Sequence, residues 1–195
     1  MAVATTLSAL HQTPPYNPTW PICFPPNTPA RGPTFFWAHV FYFSKLLEFI
    51  DTLLILLSGS RGSRRLSFLH VYHHAAVVVM CYLWLATSQS LFPVALVTNA
   101  TVHVVMYGYY LLCAVGVRPW WKRLVTDFQI VQFVFSFVIS GWMLYYHFTG
   151  SGCEGIWGWC FNGVFNGSLL ALFVNFHLKN YANKKKLSQD KDKRG

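Results

Sequence analysis

The chain has 195 residues, of which 54% are hydrophobic and 11% are charged. Soluble domains carry about 25% charged residues, so this composition excludes an ordinary soluble domain and indicates an integral membrane protein. The net charge of +9 does not indicate nucleic-acid binding, because the basic residues lie between and after apolar segments. The five cysteines lack the paired short spacings of a zinc site.

Residues 1–34 are predicted to form an irregular, Pro-rich luminal segment, because the prolines that begin at Pro14 exclude a continuous helix. The exception is Met1–Leu10, a mildly apolar stretch. It is too short to span a membrane and lacks the basic region of a signal peptide. We interpret it as the end of a helix whose beginning is missing.

Five apolar segments follow, each about long enough to cross a bilayer core of about 30 Å. The breaks between them are short, so neighbouring helices should be antiparallel. The predicted fold class is an all-α integral membrane protein with five full transmembrane helices, over residues 35–57, 65–86, 92–115, 125–148 and 158–179. These helices make a transmembrane domain over residues 35–182, and residues 183–195 form a basic tail.

Basic residues set the expected orientation. Those of the first loop, the third loop and the tail fall on one side if the segments alternate, and that side is predicted to be cytosolic, together with the C-terminus. Arg31 is the basic residue left on the other side, and Lys45 lies inside the first segment. The final residues, 191–195, resemble a dilysine retrieval signal of the endoplasmic reticulum. A basic tail that contacts anionic lipid explains them equally well.

Three histidines form the most informative motif. His70, His73 and His74 lie at i, i+3 and i+4, which places them on one helical face within an almost wholly apolar segment. A single buried histidine would fit a satisfied core residue. Polar side chains at membrane depth usually face a bundle interior or a cavity, so three of them together indicate a functional site.

Polar residues on three other segments point to the same cavity. The polar residues of the first segment lie near one helical face: Lys45, Glu48, Asp51 and Thr52. Lys45 and Glu48 can neutralise one another as an ion pair, which leaves Asp51 without a partner. The fourth segment carries Gln129 and Gln132, which either join helices by hydrogen bonds or line the cavity. The third segment has one helical stripe of polar residues, namely Asn99, His103, Tyr107 and Tyr110.

These motifs resemble those of the ELO family, the fatty acid elongases of the endoplasmic reticulum. The resemblance runs from about Cys23 to Tyr181. It rests on four motifs in the family's order: KLLEFIDT (45–52), HVYHH (70–74), NATVHVVMYGYY (99–110) and TDFQIVQ (126–132).

The resemblance implies a condensing enzyme, a very-long-chain 3-oxoacyl-CoA synthase. Malonyl-CoA loses carbon dioxide, its C2 attacks the thioester of a long-chain acyl-CoA, and the 3-ketoacyl-CoA product is two carbons longer. By resemblance, His73 is the acyl-accepting nucleophile and His103 its partner across the cavity. His70 and His74 would orient and polarise the reacting groups. Neither a metal nor another cofactor is required.

The resemblance also implies binding residues. The chamber would be lined by Lys45, Glu48, Asp51, Asn99, Tyr107, Tyr110, Gln129 and Gln132. The CoA phosphates would be attracted by the basic loop residues Arg61, Lys122 and Arg123. The implied partners are the lipid bilayer, acyl-CoA, malonyl-CoA, a further copy of the chain, and the ketoacyl-CoA reductase, dehydratase and enoyl-CoA reductase of the elongation cycle.

The family fold so implied has seven transmembrane helices, six of which form a barrel of two three-helix units around a closed acyl tunnel. With five full segments, this chain is expected to be N-terminally truncated. Met1–Leu10 would be the remnant of the family's second helix, and one barrel wall would be absent or shortened.

A disulfide is expected on the luminal side, where the topology places Cys23 and Cys153. Cys160 is the competing partner, nearer the membrane. The resemblance points to the pair Cys23–Cys153.

Two other functions compete with condensation. Clustered histidines also ligate iron in membrane desaturases and hydroxylases. Such enzymes carry more histidines than the four that lie within the membrane here: His70, His73, His74 and His103. The other alternative is an inactive elongase paralogue that acts as a partner subunit.

Overall fold

A computed structural model describes residues 1–58 and 66–179, and the described residues form six helices without a strand. The helices are α1 (Ala2–Gln12), α2 (Pro33–Leu57), α3 (Phe68–Ala86), α4 (Phe92–Ala114), α5 (Lys122–Thr149) and α6 (Ile156–His177). The predicted all-α class is confirmed. The five predicted segments correspond to α2–α6, with ends that differ by no more than three residues.

Local sequence explains where several helices begin. Pro33 occupies the first turn of α2, and Pro93 that of α4, where the missing N–H would have no helical partner in any case. Ser67 caps α3, because its side chain accepts a hydrogen bond from the backbone N–H of His70. Gly155 precedes α6 with φ +75°, and a Cβ there would collide with the backbone of Gln89.

Helix α1 lies within residues 1–34, at the stretch Met1–Leu10 that we interpret from the sequence as the end of a helix. It has 11 residues, and its end is set by Pro14, which forces the preceding Thr13 into an extended conformation. Thr5 and Ala9 are buried, because α1 packs against α2 and α4. The apolar stretch at the start of the chain is thus a packed element of the fold.

The chain is a multi-pass membrane protein. Helices α3, α4, α5 and α6 are long and apolar enough to cross a membrane, by length and composition. Helix α2 has 25 residues but carries Lys45, Glu48 and Asp51 in its second half. Helix α1 extends over about 16 Å, which is about half of a bilayer core of about 30 Å.

The six helices close into a ring. Going around it, the packed pairs are α1–α2, α2–α3, α3–α6, α6–α5, α5–α4 and α4–α1, and α2 also touches α4. Each half of the ring is a run of three consecutive helices, α1–α3 and α4–α6, which agrees with the implied barrel of two three-helix units.

Because α1 is short, the ring has a shorter wall at the position of this helix than elsewhere. The backbone N–H of Thr34 donates to the Gln12 side chain at 2.7 Å, so the end of α1 is joined to the start of α2. From there α1 covers about the first half of α2. Beyond its reach, α2 and α4 expose apolar side chains such as Leu47, Leu54 and Leu111.

Two of the cavities in the described part of the chain are lined by none of His70, His73, His74 and His103. One, of about 10 Å³, lies between α4, α5 and α6. The other is an open cleft of about 350 Å³ between α5 and α6, next to Asp127 and His177. Neither cavity tests the closed acyl tunnel that the family resemblance implies, which stays a prediction.

At one end of the ring α2, α4 and α6 begin, and we call it the disulfide end. It is stabilised by aromatic packing and by a disulfide. Phe24, Phe35 and Phe92 are almost fully buried, and the last two rings lie 4.8 Å apart. The structure joins Cys23 to Cys153 across 130 positions, with Cα atoms 5.0 Å apart. The bridge links the Pro-rich segment to the loop between α5 and α6.

Replacing Cys23 by serine is expected to lower the free energy of unfolding. The chain-entropy estimate for a loop of this length is about 5 kcal/mol, and we expect about 2 kcal/mol because the bilayer already restricts the unfolded chain. The measurement is thermal unfolding in micelles with and without reductant. Cys113→Ser is the matched control, because Cys113 is a free thiol. Equal melting temperatures for Cys23→Ser and the parent chain would contradict the prediction.

Candidate active site

The three histidines of α3 lie in its first two turns and divide into two groups. The rings of His70 and His74 stack with centroids 4.1 Å apart. His73 is directed toward α4, where its ring lies 6.4 Å from that of His103 at an interplanar angle of 29°. The structure thus brings together the two residues that resemblance named as nucleophile and partner.

His73 lies among apolar and aromatic side chains. Phe165 of α6 packs on its ring at 6.1 Å. The neighbouring Tyr72 bonds to Ser168 on the same helix, with 2.7 Å between the two hydroxyl oxygens. Within residues 1–58 and 66–179, the buried His73 Nδ1 has no hydrogen-bond partner. Buried polar atoms in native proteins are normally paired, so this nitrogen is available to a bound molecule.

Helix α2 contributes a buried ion pair next to the histidines. The Lys45 Nζ lies 2.8 and 2.9 Å from the two carboxylate oxygens of Glu48, and the lysine side chain is 3% exposed. The same carboxylate lies 4.0 Å from His74 Nε2. The pair predicted as a structural alternative is therefore present, and it also forms part of the histidine site.

Thr52 connects the same elements; the sequence placed it on the polar face of this helix but did not assign it to the site. Its hydroxyl donates to the Glu48 carbonyl at 2.9 Å and lies 2.9 Å from His74 Nδ1. The spacing of four between Glu48 and Thr52 places both on one helical face, but it does not predict the contact with His74.

Four of the predicted site residues are not covered by other described parts of the chain. Asp51 and His70 are exposed, and Tyr107 and Tyr110 keep 49% and 55% of their surface accessible. Tyr107 still contacts the site, because its ring packs edge-on against His103 at 5.6 Å.

The amide residues differ in their surroundings. Asn99 lies one turn before His103 on α4, and its buried Oδ1 has no hydrogen-bond partner among the described residues. Gln129 donates to the sulfur of Met106 at 3.5 Å, which joins α5 to α4 and favours the helix-joining interpretation of this residue. Gln132 is half-buried on α5.

The basic residues predicted to attract CoA are described in part. Lys122 and Arg123 are exposed at the start of α5. The Arg123 Nε lies 3.6 Å from Asp127, which in turn lies 3.0 Å from His177 of α6. Arg61 lies outside the described residues. The link between Asp127 and His177 was not predicted, because nothing in the sequence pairs residues so far apart.

Residues 1–189 match the family model described as "ELO: GNS1/SUR4 family". The chain belongs to this family. Its curated relatives include very long chain fatty acid elongase 5 of Xenopus laevis, 37% identical over 78% of this chain and 50% of that protein. The human protein of the same name is 36% identical over the same shares. Fatty acid elongase 3-like of Arabidopsis thaliana is 32% identical over 82% of this chain and 54% of that protein.

This ELO chain spans about half the length of the curated relatives it matches. No solved structure matches it significantly. Among the residues that the structure describes, no three His, Cys, Asp or Glu side chains are placed so that they could hold a metal ion together.

Proposed function

We propose that this ELO-family chain is a condensing enzyme of fatty acid elongation, a 3-oxoacyl-CoA synthase. The observation that carries the proposal is the placement of His73 opposite His103, with ring centroids 6.4 Å apart, and a buried His73 nitrogen that has no partner among residues 1–58 and 66–179. Family membership supports this class of reaction, because the curated relatives are named as fatty acid elongases.

The reaction proceeds in two steps. The His73 imidazole attacks the acyl-CoA thioester, the carbon–sulfur bond breaks, and CoA leaves as the thiol with the imidazole proton. Malonyl-CoA then loses carbon dioxide, and its C2 forms a bond to the acyl carbon while the carbon–nitrogen bond breaks. The released imidazole anion takes up one proton from water, and the product is 3-ketoacyl-CoA.

The neighbouring residues assist these steps. His103 and Asn99 lie one turn apart on α4, where donors can stabilise the oxyanion and the enolate away from water. Glu48 holds Lys45 and lies beside His74, so the site has a fixed arrangement of charge before substrate binds. Lys122 and Arg123, together with Arg61, attract the CoA phosphates.

The site's location in the cell follows from the basic residues of the sequence. We propose a multi-pass protein of the endoplasmic reticulum membrane with a cytosolic C-terminus, since the Lys- and Arg-rich loops and tail fall on one side. Malonyl-CoA and acyl-CoA would then reach the histidines from the cytosol. The partners would be the reductases and dehydratase that process 3-ketoacyl-CoA, and a further copy of the chain.

The function is tested with the purified chain in lipid nanodiscs, supplied with long-chain acyl-CoA and labelled malonyl-CoA. We expect labelled 3-ketoacyl-CoA and release of carbon dioxide. Absence of both would contradict the proposal. Activity that appears in co-expression with another elongase, and is unchanged by His73→Ala in this chain, would instead support the partner-subunit alternative.

Metal chelators are expected to leave condensation unchanged, within about twofold in kcat, because thioesters, imidazoles and hydrogen-bond donors supply the chemistry. The measurement is kcat before and after dialysis against EDTA and an iron-selective chelator. Activity that is lost on dialysis and restored by iron would favour the desaturase or hydroxylase alternative.

A further inference from the structure

Thr52 is a buried residue whose hydroxyl lies between α2 and the histidines of α3. Its side chain is 1% exposed. The Oγ1 atom lies 2.9 Å from the carbonyl oxygen of Glu48, 2.9 Å from His74 Nδ1 and 3.4 Å from His70 Nε2. These contacts limit which atom can carry each proton.

The threonine hydroxyl has one proton to donate and lone pairs that accept. The Glu48 carbonyl can accept a hydrogen bond but not donate one. The hydroxyl proton therefore points to this carbonyl, one turn earlier on α2, as helical threonines commonly do. The Oγ1 lone pairs then face the histidine nitrogens of α3.

The same reasoning determines the tautomer of His74. Its Nδ1 also lies 3.2 Å from the Glu48 carbonyl oxygen. An unprotonated Nδ1 would face the lone pairs of two oxygens, whereas an Nδ1–H donates to both. His74 therefore carries its proton on Nδ1, and Nε2 remains able to accept one. The Glu48 carboxylate, 4.0 Å from Nε2, would stabilise the imidazolium that results.

We propose that Thr52 is a positioning residue that fixes the ring orientation and the Nδ1–H tautomer of His74, so that the lone pair of His74 Nε2 stays free to accept a proton. This inference rests on the proposed function, because it gives His74 a part in condensation. His70 is held by the same oxygen and stacks on His74, so a single hydroxyl orders two of the three histidines of α3.

The tautomer is tested directly by nitrogen-15 NMR of the full chain in nanodiscs, with labelled histidine. The His74 signal is assigned by its loss in His74→Gln. We expect a protonated Nδ1 in the parent chain and in Thr52→Ser, and a mixture of tautomers in Thr52→Val, which keeps the shape but lacks the hydroxyl. A protonated Nε2 with an unprotonated Nδ1 in the parent chain would overturn the inference.

The kinetic test uses the same variants. Thr52→Val is expected to lower kcat about tenfold to a hundredfold, because His74 loses a buried partner, with little change in KM for acyl-CoA. Thr52→Ser should restore most of the activity. Thr98→Val is the matched control, since Thr98 is half-buried and makes the same bond one turn back, to Val94 at 2.9 Å. Parent-like turnover in Thr52→Val would overturn the inference.

The two tests separate the inference from the proposed function. If the parent chain does not condense acyl-CoA, the proposed function fails, and the NMR result still decides the role of Thr52 in fixing His74. If the parent chain is active and Thr52→Val is too, the inference fails and the proposed function stands. If Thr52→Val does not fold, the parent spectrum and Thr52→Ser decide the question.

Discussion

Replacing His73 by alanine is expected to abolish condensation, with a loss in kcat of at least about a thousandfold, as for other enzymes that lose their nucleophile. The acyl group would have no imidazole to accept it, and His103 would face an empty position 6.4 Å away in the parent geometry. Helix α3 should still form, because its cap, Ser67, and its apolar residues are unchanged. Single-turnover and steady-state assays in nanodiscs measure the effect.

The matched control is His39→Ala. His39 lies on α2 near the disulfide end, where its Nδ1 contacts the Phe35 carbonyl at 2.8 Å, far along the helix from Lys45 and Glu48. We expect this variant to keep parent activity. Turnover of His73→Ala within about tenfold of the parent would show that the reaction does not require transfer of the acyl group to this imidazole.

The second large effect concerns the buried ion pair. Glu48→Gln leaves the Lys45 ammonium, 3% exposed, without its carboxylate, and should lower the free energy of unfolding by about 3–5 kcal/mol. Adding Lys45→Met removes the uncompensated charge, so the double variant should recover most of that loss. The measurement is unfolding of the chain in mixed micelles under a denaturing detergent.

Asp51→Asn is the control for that experiment. Asp51 lies one turn after Glu48 on the same helix and is exposed, so its replacement should change the free energy of unfolding by less than about 0.5 kcal/mol. A Glu48→Gln variant as stable as the parent would mean that Lys45 finds another partner or reaches water. A double variant less stable than Glu48→Gln would contradict the ion-pair explanation.

The sequence predicted the elements whose causes are local. The apolar runs produced α2–α6 with small boundary errors, because length, prolines and caps act within a few residues. The i, i+3, i+4 spacing placed His70, His73 and His74 together on α3 for the same reason. The pairing of Lys45 with Glu48 was also predictable, since one helical turn separates them.

Interactions between distant segments could not be predicted from the sequence. Packing of α1 into the ring depends on its neighbours α2 and α4 rather than on its own pattern, so the first residues looked like a helix remnant. The sequence placed Thr52 on the polar face of α2, but its contact with His74 exists because α2 and α3 pack side by side. The separate directions of His73 and His74 likewise depend on which helix each one faces.

The most direct test of the proposed mechanism is to look for the acyl group on His73. The chain in nanodiscs is incubated with a long-chain acyl-CoA in the absence of malonyl-CoA, quenched in acid, digested and examined by mass spectrometry. We predict that the peptide containing His73 gains the mass of the acyl group, and that adding malonyl-CoA removes it with formation of 3-ketoacyl-CoA. Formation of 3-ketoacyl-CoA by a chain whose His73 peptide never carries the acyl group would contradict the proposed mechanism.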